Sequence, residues 1–199
     1  SSIEYALVEI SDLENFKEKK IVIASNLLDS IVKSCDIKKF KILKTFSGSE
    51  FEGTICKHPF EKLGYNFDVP MLEARFVTLE QGTGIVHCAP GFGEEDYKVC
   101  IENGLVKPGK LVMPMDDDGK FTKEVTDYAG IFFKDADPLI TKALKDNGRL
   151  VASGTVTHSY PFCWRSQGPL MYRAVDTWFI KVTDIKKDLI KNNDDPTWV

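Results

Sequence analysis

Short extended runs rich in β-branched and aromatic residues recur along the chain and outnumber the segments with helical spacing. Two of them, at 5–10 and 20–25, flank a polar, charged loop and predict a pair of strands. Further strand-like runs lie at 40–53, 71–90, 149–164 and 169–182. No repeat or Pro/Gly-rich linker divides the chain, so we expect a single domain over 1–199. The pattern predicts an α+β or barrel-like fold with a β-rich core and peripheral helices.

Helices are predicted at fewer places. The clearest is 137–148, where Asp137 serves as the cap, Pro138 occupies the first helical position and Gly148 ends the helix. Further helices are predicted at 26–35 with Asn26 as the cap, at 94–104, and in a polar tail from Asp184.

Composition limits the function classes. A hydrophobic content of 43% and a charged content of 28% describe a soluble globular protein. No apolar run approaches a membrane span, and no signal peptide opens the chain. The net charge of −4 argues against strong unaided nucleic-acid binding, although another domain could deliver an RNA end. Five cysteines without a C-x-x-C pair indicate reduced thiols and a cytoplasmic location.

The segment GTGIVHCAPGFGEEDYKVC, residues 82–100, is the strongest candidate for chemistry. A dinucleotide loop needs G-x-G-x-x-G after a strand, but here Gly82 and Gly84 precede the predicted strand and the third glycine is missing. A Gly-Lys-Ser/Thr phosphate loop does not occur in the chain. The segment therefore does not predict a nucleotide site.

A metal site is not predicted either. Structural zinc sites usually carry paired C-x-x-C ligands, and Ser166 stands where a second cysteine would complete a pair with Cys163. Residues 116–119 lack the spacing of a calcium loop and predict a solvated hairpin turn at Asp118-Gly119. The histidines are His58, His87 and His158, and satisfied histidines beside buried thiols explain them without a metal.

Two interpretations of residues 82–100 remain open from the residues alone. The turn at 90–93 leads into a helix whose first turn holds three acids, which complement the helix dipole and leave His87 as an ordinary strand residue. Alternatively, the strand–turn–helix geometry brings His87 and Asp96 toward one pocket mouth, beside free amides of the Gly-rich segment.

These residues resemble the signature of the editing domain, the CP1 insertion, of the isoleucyl-tRNA synthetase family of class I enzymes. Residues 58–72, 116–122 and 157–182 resemble the same family, so the resemblance covers most of the chain. Valyl and leucyl families carry a homologous domain, but VHCAPGFGEED (86–96) resembles the isoleucyl form best. The resemblance implies a β-barrel-like core with surrounding helices, inserted in a catalytic Rossmann domain that lies outside this chain.

The resemblance also implies an activity. Such domains hydrolyse the ester of valine mischarged on tRNA(Ile), after transfer and also before it, without a metal or cofactor. ATP is used by the catalytic domain. The implied partners are the tRNA(Ile) acceptor end carrying valine and the rest of the synthetase chain, in the cytoplasm and away from membranes.

Site residues follow from the resemblance by position. Asp96 matches the family's aspartate that binds the substrate α-ammonium, and His87 matches the histidine that lines the side-chain pocket. We expect the backbone of Gly82, Thr83 and Gly84 to approach the substrate, with amides that hold its carbonyl oxygen.

Two departures from the family pattern qualify these expectations. The family's threonine-rich peptide normally lies upstream of the strand at 5–10, and the chain begins at Ser1 without it. We therefore expect the isolated fragment to be inactive as a hydrolase. Ser166 replaces a cysteine of some relatives, so a zinc ion at Cys163 is not expected.

Two other functions stay open from the sequence. The first is a non-catalytic module that grips the tRNA acceptor end. The second is a valyl-type editing domain that acts on threonyl-tRNA(Val).

Overall fold

The computed structural model describes residues 3–14, 16, 19–61, 65–80, 82–107, 109–155 and 157–194. Within them, all five strands lie before residue 71, and three of the four helices follow the last strand. The strands are β1 (Glu4–Ile10), β2 (Lys20–Ala24), β3 (Phe40–Ser47), β4 (Ile55–Lys57) and β5 (Asp68–Pro70). The helices are α1 (Leu28–Ser34), α2 (Glu94–Glu102), α3 (Phe133–Asp146) and α4 (Val182–Asp194). The α+β class predicted from the sequence is confirmed.

Strand β1 is the centre of a three-stranded antiparallel sheet in the order β2-β1-β3. In its ladder with β2, Tyr5 lies opposite Ala24. Its ladder with β3 shifts register after Leu7, where one extra β3 residue makes a bulge. The strands predicted at 5–10 and 20–25 are confirmed.

The main core lies between this sheet and α1. Its buried side chains come from β1, β2 and the start of α1, namely Tyr5, Ala6, Val8, Ile23, Ala24, Leu27 and Leu28. A second cluster at the far end of β1 contains Ile10, Phe16 and Ile37. Burying each large apolar side chain contributes about 1.5–3 kcal/mol. Because both clusters of buried side chains include residues of β1, the sheet is the best-packed part of the described chain.

The run at 40–53 is predicted to form a strand, a turn and a second strand; β3 and a turn are present, but the turn is a 3₁₀ helix, Gly48–Phe51, that occupies part of the second predicted strand. Ser47 and Glu50 form a capping box at its start, which favours a helical turn over an extended chain. The Phe51 ring packs edge-on against Tyr5, with 5.2 Å between ring centroids. Local capping and this aromatic contact explain why the strand prediction is wrong here. Strand β4 begins after the turn and pairs antiparallel with β5.

Helix α1 begins two residues later than its predicted cap. Asn26 lies in a 3₁₀ turn, Ser25–Leu27, and makes no capping contact. Leu27 and Leu28 are both buried against the sheet, so core packing sets the start of the helix in place of a side-chain cap.

Helix α3 begins four residues earlier than Asp137, its predicted cap, and Pro138 lies inside it. The Phe133 N–H donates to the Gly119 carbonyl oxygen at 3.0 Å, so the hairpin turn supports the first turn of the helix. Gly119 has a φ of 73°, as the predicted Asp118-Gly119 turn requires. The hairpin prediction and the helix end at Gly148 are confirmed; the predicted cap is wrong because it ignored this contact.

The long strand-like runs at 71–90, 149–164 and 169–182 form no strand ladder among their described residues. A single bridge joins Phe162 to Pro169. Because these runs stay out of the sheets, the described residues form a three-stranded and a two-stranded sheet but no closed barrel.

The C-terminal region, defined here as residues 157–194, packs little against the rest. Trp178 is fully exposed and Phe179 is 87% exposed. Helix α4, which confirms the predicted polar helical tail, has no buried residue among those described. No helix in the described part of the chain is long and apolar enough to cross a membrane.

Candidate functional site

The segment Gly82–Ile85 lies against the edge of the main sheet. The Thr83 carbonyl oxygen accepts a hydrogen bond from the Ala24 N–H at 2.8 Å, and the Tyr5 hydroxyl donates to the Gly84 carbonyl oxygen at 2.7 Å. Gly84 has a φ of 75°, and a Cβ placed on it would come within 2.6 Å of the Ala24 Cβ. Only glycine fits this position without displacing the strand.

The residues of this segment differ in exposure: Gly82 is exposed, Thr83 is half-buried and Gly84 is buried. Within the described chain, no acceptor receives a hydrogen bond from the backbone N–H of Gly82, Thr83 or Gly84. The Thr83 hydroxyl is occupied locally, because it donates to the Ile85 carbonyl oxygen and accepts from the Ile85 N–H. The sheet contacts hold the carbonyl groups of Thr83 and Gly84, and the three N–H groups have no acceptor among the described residues.

A tight turn leads from residue 89 into α2. The N–H groups of Phe92 and Gly93 both donate to the Ala89 carbonyl oxygen, at 2.8 and 3.0 Å. The three acids lie in the first turn of α2 as predicted. The first of them, Glu94, forms an ion pair with Lys98, with 2.8 Å between the Lys98 Nζ and the Glu94 Oε1. Gly104, with a φ of 71°, follows the end of the helix.

Asp96 differs from its acidic neighbours because its carboxylate turns back toward the turn. Its Oδ2 accepts the Ala89 N–H at 2.9 Å and would lie 2.6 Å from a Cβ on Gly93, so a side chain at 93 would displace the Asp96 carboxylate from this position. The side chain is half-buried. No described residue donates a hydrogen bond to its second oxygen, Oδ1.

His87 has an exposed position and does not belong to a strand. The strand predicted at 85–89 is therefore wrong: glycines with positive φ at 82 and 84 turn the chain away from a ladder. No hydrogen bond or ion pair joins His87 to Asp96 in the described residues.

His58 packs against an aromatic cluster, with its ring centroid 5.0 Å from that of Phe67 and 5.3 Å from that of Tyr65. Burial lowers the pKa of His58, and the charge of nearby His87 lowers it further. The structure therefore places His87 near a second imidazole, a contact that no pattern in the sequence predicts.

The thiols beside Asp96 are held in the neutral form. Burial raises the pKa of Cys88, and the negative charge of Asp96 raises it further. The same two causes raise the pKa of Cys100. Since the thiolate is the nucleophilic form, neither cysteine is suited to covalent catalysis at neutral pH.

Curated relatives match almost the whole chain. Isoleucine–tRNA ligase of Pelagibacter ubique is 45% identical over 98% of this chain. Isoleucine–tRNA ligase of Tetrahymena thermophila is 43% identical over 98% of it. The cytoplasmic isoleucine–tRNA ligase of Arabidopsis thaliana is 45% identical over 80%.

This chain is homologous to a segment of isoleucine–tRNA ligases. It spans about a fifth of the length of these relatives, 21%, 18% and 14% respectively. No protein-family model matches the chain.

An open depression of about 210 Å³ lies beside the turn of this ligase segment. Its walls come from Pro90–Glu94 and Tyr97 on one side and from Tyr172–Ala174 on the other. The Ala174 N–H donates to the Gly91 carbonyl oxygen at 2.9 Å, which joins the two walls. Arg173 also forms an ion pair with Asp117. Sequence reasoning missed this second wall because the contact joins residues more than 80 positions apart.

No cluster of three or more metal-ligating side chains occurs among the described residues of the ligase segment. Cys163, the residue considered for zinc, lies in a turn closed by the Gln167 N–H on its carbonyl oxygen at 2.8 Å. Hydrogen bonding from the Ser166 hydroxyl, and then from backbone N–H groups of Ser166 and Arg165, lowers the pKa of the Cys163 thiol. The turn stabilises a thiolate with protein donors.

Proposed function

We propose that the chain is the editing domain of an isoleucine–tRNA ligase and hydrolyses the ester of valine mischarged on tRNA(Ile). The proposal rests on the homology to isoleucine–tRNA ligases and on the resemblance of residues 82–97 to the editing signature. The α+β body, with its three-stranded sheet, would be part of the barrel-like editing fold that the resemblance implies.

The Asp96 carboxylate carries the proposal. The Ala89 N–H holds one of its oxygens in place, and the other oxygen has no donor among the described residues. A half-buried, oriented carboxylate with one unpaired oxygen is suited to bind the α-ammonium of an aminoacyl ester through a charge-assisted hydrogen bond. Asp96 would thereby orient the ester for attack.

Water is the nucleophile in this proposal. The raised pKa values of Cys88 and Cys100 keep both nearby thiols protonated, so a cysteine-linked acyl intermediate is disfavoured. The unbonded N–H groups of Gly82, Thr83 and Gly84 would hold the developing negative charge on the carbonyl oxygen. The tRNA's own terminal ribose hydroxyl would help to position the water.

Selectivity would come from size. An isoleucine site cannot strongly reject valine, which lacks one methylene; isoleucyl enzymes are the standard example of this limit. A second pocket too small for isoleucine rejects the correct product by overlap with its wall. We assign His87 to that wall because it matches the family's pocket histidine.

The wider setting follows from the same proposal. The partner is the aminoacylated 3′ end of tRNA(Ile), presented by the rest of the ligase in the cytoplasm. The hydrolysis needs no metal or cofactor of its own, and ATP serves only the synthetic site. Both transferred valine and the valyl-adenylate formed before transfer are substrates.

Deacylation assays on the full-length ligase that contains this segment test the proposal. Asp96→Ala should reduce hydrolysis of valyl-tRNA(Ile) by at least about 100-fold, because a buried charge-assisted contact contributes about 3 kcal/mol or more when truncated. Aminoacylation with isoleucine should stay within twofold of the parent enzyme. Glu95→Ala is the matched control, since Glu95 lies in the same helical turn but is exposed and its carboxylate faces Lys98.

His87→Ala in the same ligase tests the sieve. The enlarged pocket should allow hydrolysis of isoleucyl-tRNA(Ile), while Val86→Ala at the adjacent exposed position should leave discrimination intact.

Full deacylation activity in Asp96→Ala would overturn the hydrolytic assignment. If tRNA affinity falls in that variant while deacylation per bound tRNA is unchanged, the chain is a binding module. Preferential cleavage of threonyl-tRNA(Val) would assign it to the valyl type.

A further inference from the structure

Four aromatic side chains alternate along residues 158–164 in the sequence H-S-Y-P-F-C-W. We call this set the aromatic strip: His158, Tyr160, Phe162 and Trp164. The first three rings touch edge to face, with centroids 6.0 Å apart for His158–Tyr160 and 5.7 Å for Tyr160–Phe162, and Trp164 follows them in a turn. Contacts between residues two positions apart show that His158, Tyr160 and Phe162 share one face of an extended segment.

The aromatic strip is not part of a hydrophobic core. Phe162 is 57% exposed and Trp164 is 77% exposed. Neither belongs to the two clusters of buried residues. Phe162 packs against the half-buried Tyr160 ring and is open to solvent, and Trp164 lies open beside it, so flat groups can stack on this surface.

Cations accompany the rings. The Lys134 ammonium, from α3, lies 4.7 Å from the centre of the Tyr160 ring. The Arg165 guanidinium lies 4.6 Å from the centre of the Trp164 ring. Both side chains are exposed, so their charge is available to an anionic ligand.

The surrounding sequence is free of acids. Residues 147–175 contain no Asp or Glu, although the chain has 30 of them, and they include three arginines. The net charge of −4 therefore comes from other parts of the chain. Arg173 is paired with Asp117, so the positive charges beside the strip are those of Lys134 and Arg165, which favour phosphate groups.

We propose that the aromatic strip binds single-stranded RNA, with bases stacked on its rings and phosphates beside Lys134 and Arg165. Every base has a π-face, so an aromatic ladder binds single strands without reading their sequence. A double helix does not fit this mode because its bases are already stacked on one another. The choice of RNA rests on the proposed function, but the strip is distinct from the hydrolytic residues Asp96 and His87.

Binding of a labelled single-stranded RNA of about ten nucleotides, followed by fluorescence anisotropy at low salt, tests the proposal. Tyr160→Ala and Phe162→Ala should each weaken binding about 5- to 100-fold, the range for loss of one stacked base. Phe67→Ala is the matched control because Phe67 is also 57% exposed but lies in the cluster around His58. Circular dichroism of each variant confirms that it is folded. Equal affinity in the strip variants and the control would overturn the proposal.

A charge measurement provides a second test. Lys134→Ala should lower the steepness with which affinity falls with salt, because one fewer counterion is released on binding. Lys142→Ala, an exposed lysine on the same helix, should leave the salt dependence unchanged. An identical salt slope in both variants would show that phosphates do not lie beside Lys134.

The full-length ligase separates RNA binding from contact with another part of the polypeptide. Diethyl pyrocarbonate should modify His158 in the free enzyme, and tRNA(Ile) should protect it. If His158 is unreactive before tRNA is added, protein covers the strip and the proposal is wrong. If valyl-tRNA(Ile) hydrolysis is normal and depends on Asp96, but tRNA(Ile) does not protect His158 from modification, RNA binding by the aromatic strip is refuted. The proposed function would then still stand.

Discussion

The main sheet and the C-terminal region place similar residues in opposite environments. In the sheet, Ile23 is 1% exposed and Ala24 is fully buried. In the C-terminal region, Ile180 is 79% exposed and Trp178 is completely exposed. Both regions are rich in β-branched and aromatic residues, so hydrophobicity alone did not decide which of them became the core.

The difference is one of pairing. Strand β1 has a hydrogen-bonded neighbour on each side, and α1 covers one face of the sheet. The extended runs of the C-terminal region make one bridge, Phe162 to Pro169, among the described residues. We therefore expect substitutions in the sheet to change stability, and substitutions in the C-terminal region to change chemistry or binding.

Truncating one isoleucine in each region should give the largest contrast. Ile23→Ala removes a buried side chain and leaves a cavity, so it should lower the free energy of unfolding by about 2–5 kcal/mol. Ile180→Ala removes a side chain that is already in water and should change it by less than about 0.5 kcal/mol. Urea denaturation of the 199-residue chain measures both. Equal losses would mean that the C-terminal region packs as tightly as the sheet.

Two glycines at the sheet edge separate backbone strain from packing. Gly82 and Gly84 have nearly the same φ, 77° and 75°, but a Cβ on Gly82 meets nothing within 4 Å. Gly82→Ala should therefore lower the free energy of unfolding by about 1 kcal/mol, because only the positive φ is unfavourable for alanine there. Gly84→Ala adds overlap with Ala24 and should cost about 2–4 kcal/mol in total, measured by thermal or urea unfolding.

A matching loss in both glycine variants would contradict the close packing of Gly84 on β2. If only Gly84→Ala lowers the free energy of unfolding, nearly the whole loss comes from overlap with Ala24, and the positive φ contributes little.

Two half-buried thiols give the smallest contrast, in reaction rate. Cys163, in the C-terminal region, has a pKa lowered by the Ser166 hydroxyl, whereas burial and Asp96 raise the pKa of Cys88. At pH 7–8 iodoacetamide should alkylate Cys163 a few-fold faster or more, because the thiolate reacts. Ser166→Ala should lower the alkylation rate of Cys163 and leave the alkylation rate of Cys88 unchanged. Mass spectrometry of each site over time gives the rates, and a faster Cys88 would contradict the environments described.

Prediction from the sequence succeeded where the pattern was local. The strands at 5–10 and 20–25, the turn at Asp118-Gly119 and the helix end at Gly148 are all confirmed. Each depends on side-chain alternation or on the conformational freedom of glycine, which act over a few residues.

Prediction failed where distant contacts decided the outcome. Helix α3 begins before Asp137 because the Gly119 carbonyl oxygen supports its first turn. The run at 85–89 has the composition of a strand, but it joins no strand ladder among the described residues, and the segment meets β2 through the hydrogen bond from the Ala24 N–H to the Thr83 carbonyl oxygen. An apolar run becomes a strand only when it finds a partner, and composition does not encode the partner.

At the candidate site, the sequence determined which chemical groups are present and their order along a turn and a helix. It placed three acids in the first turn of α2 and identified Asp96 and His87 through a family resemblance. Only the tertiary structure decided that the Asp96 carboxylate accepts the Ala89 N–H and that Gly84 packs closely on Ala24. It also decided that aromatic residues of the C-terminal region, such as Trp178, remain exposed to solvent. Side-chain chemistry is a property of each residue, whereas burial and orientation depend on which distant segments the folded chain brings together.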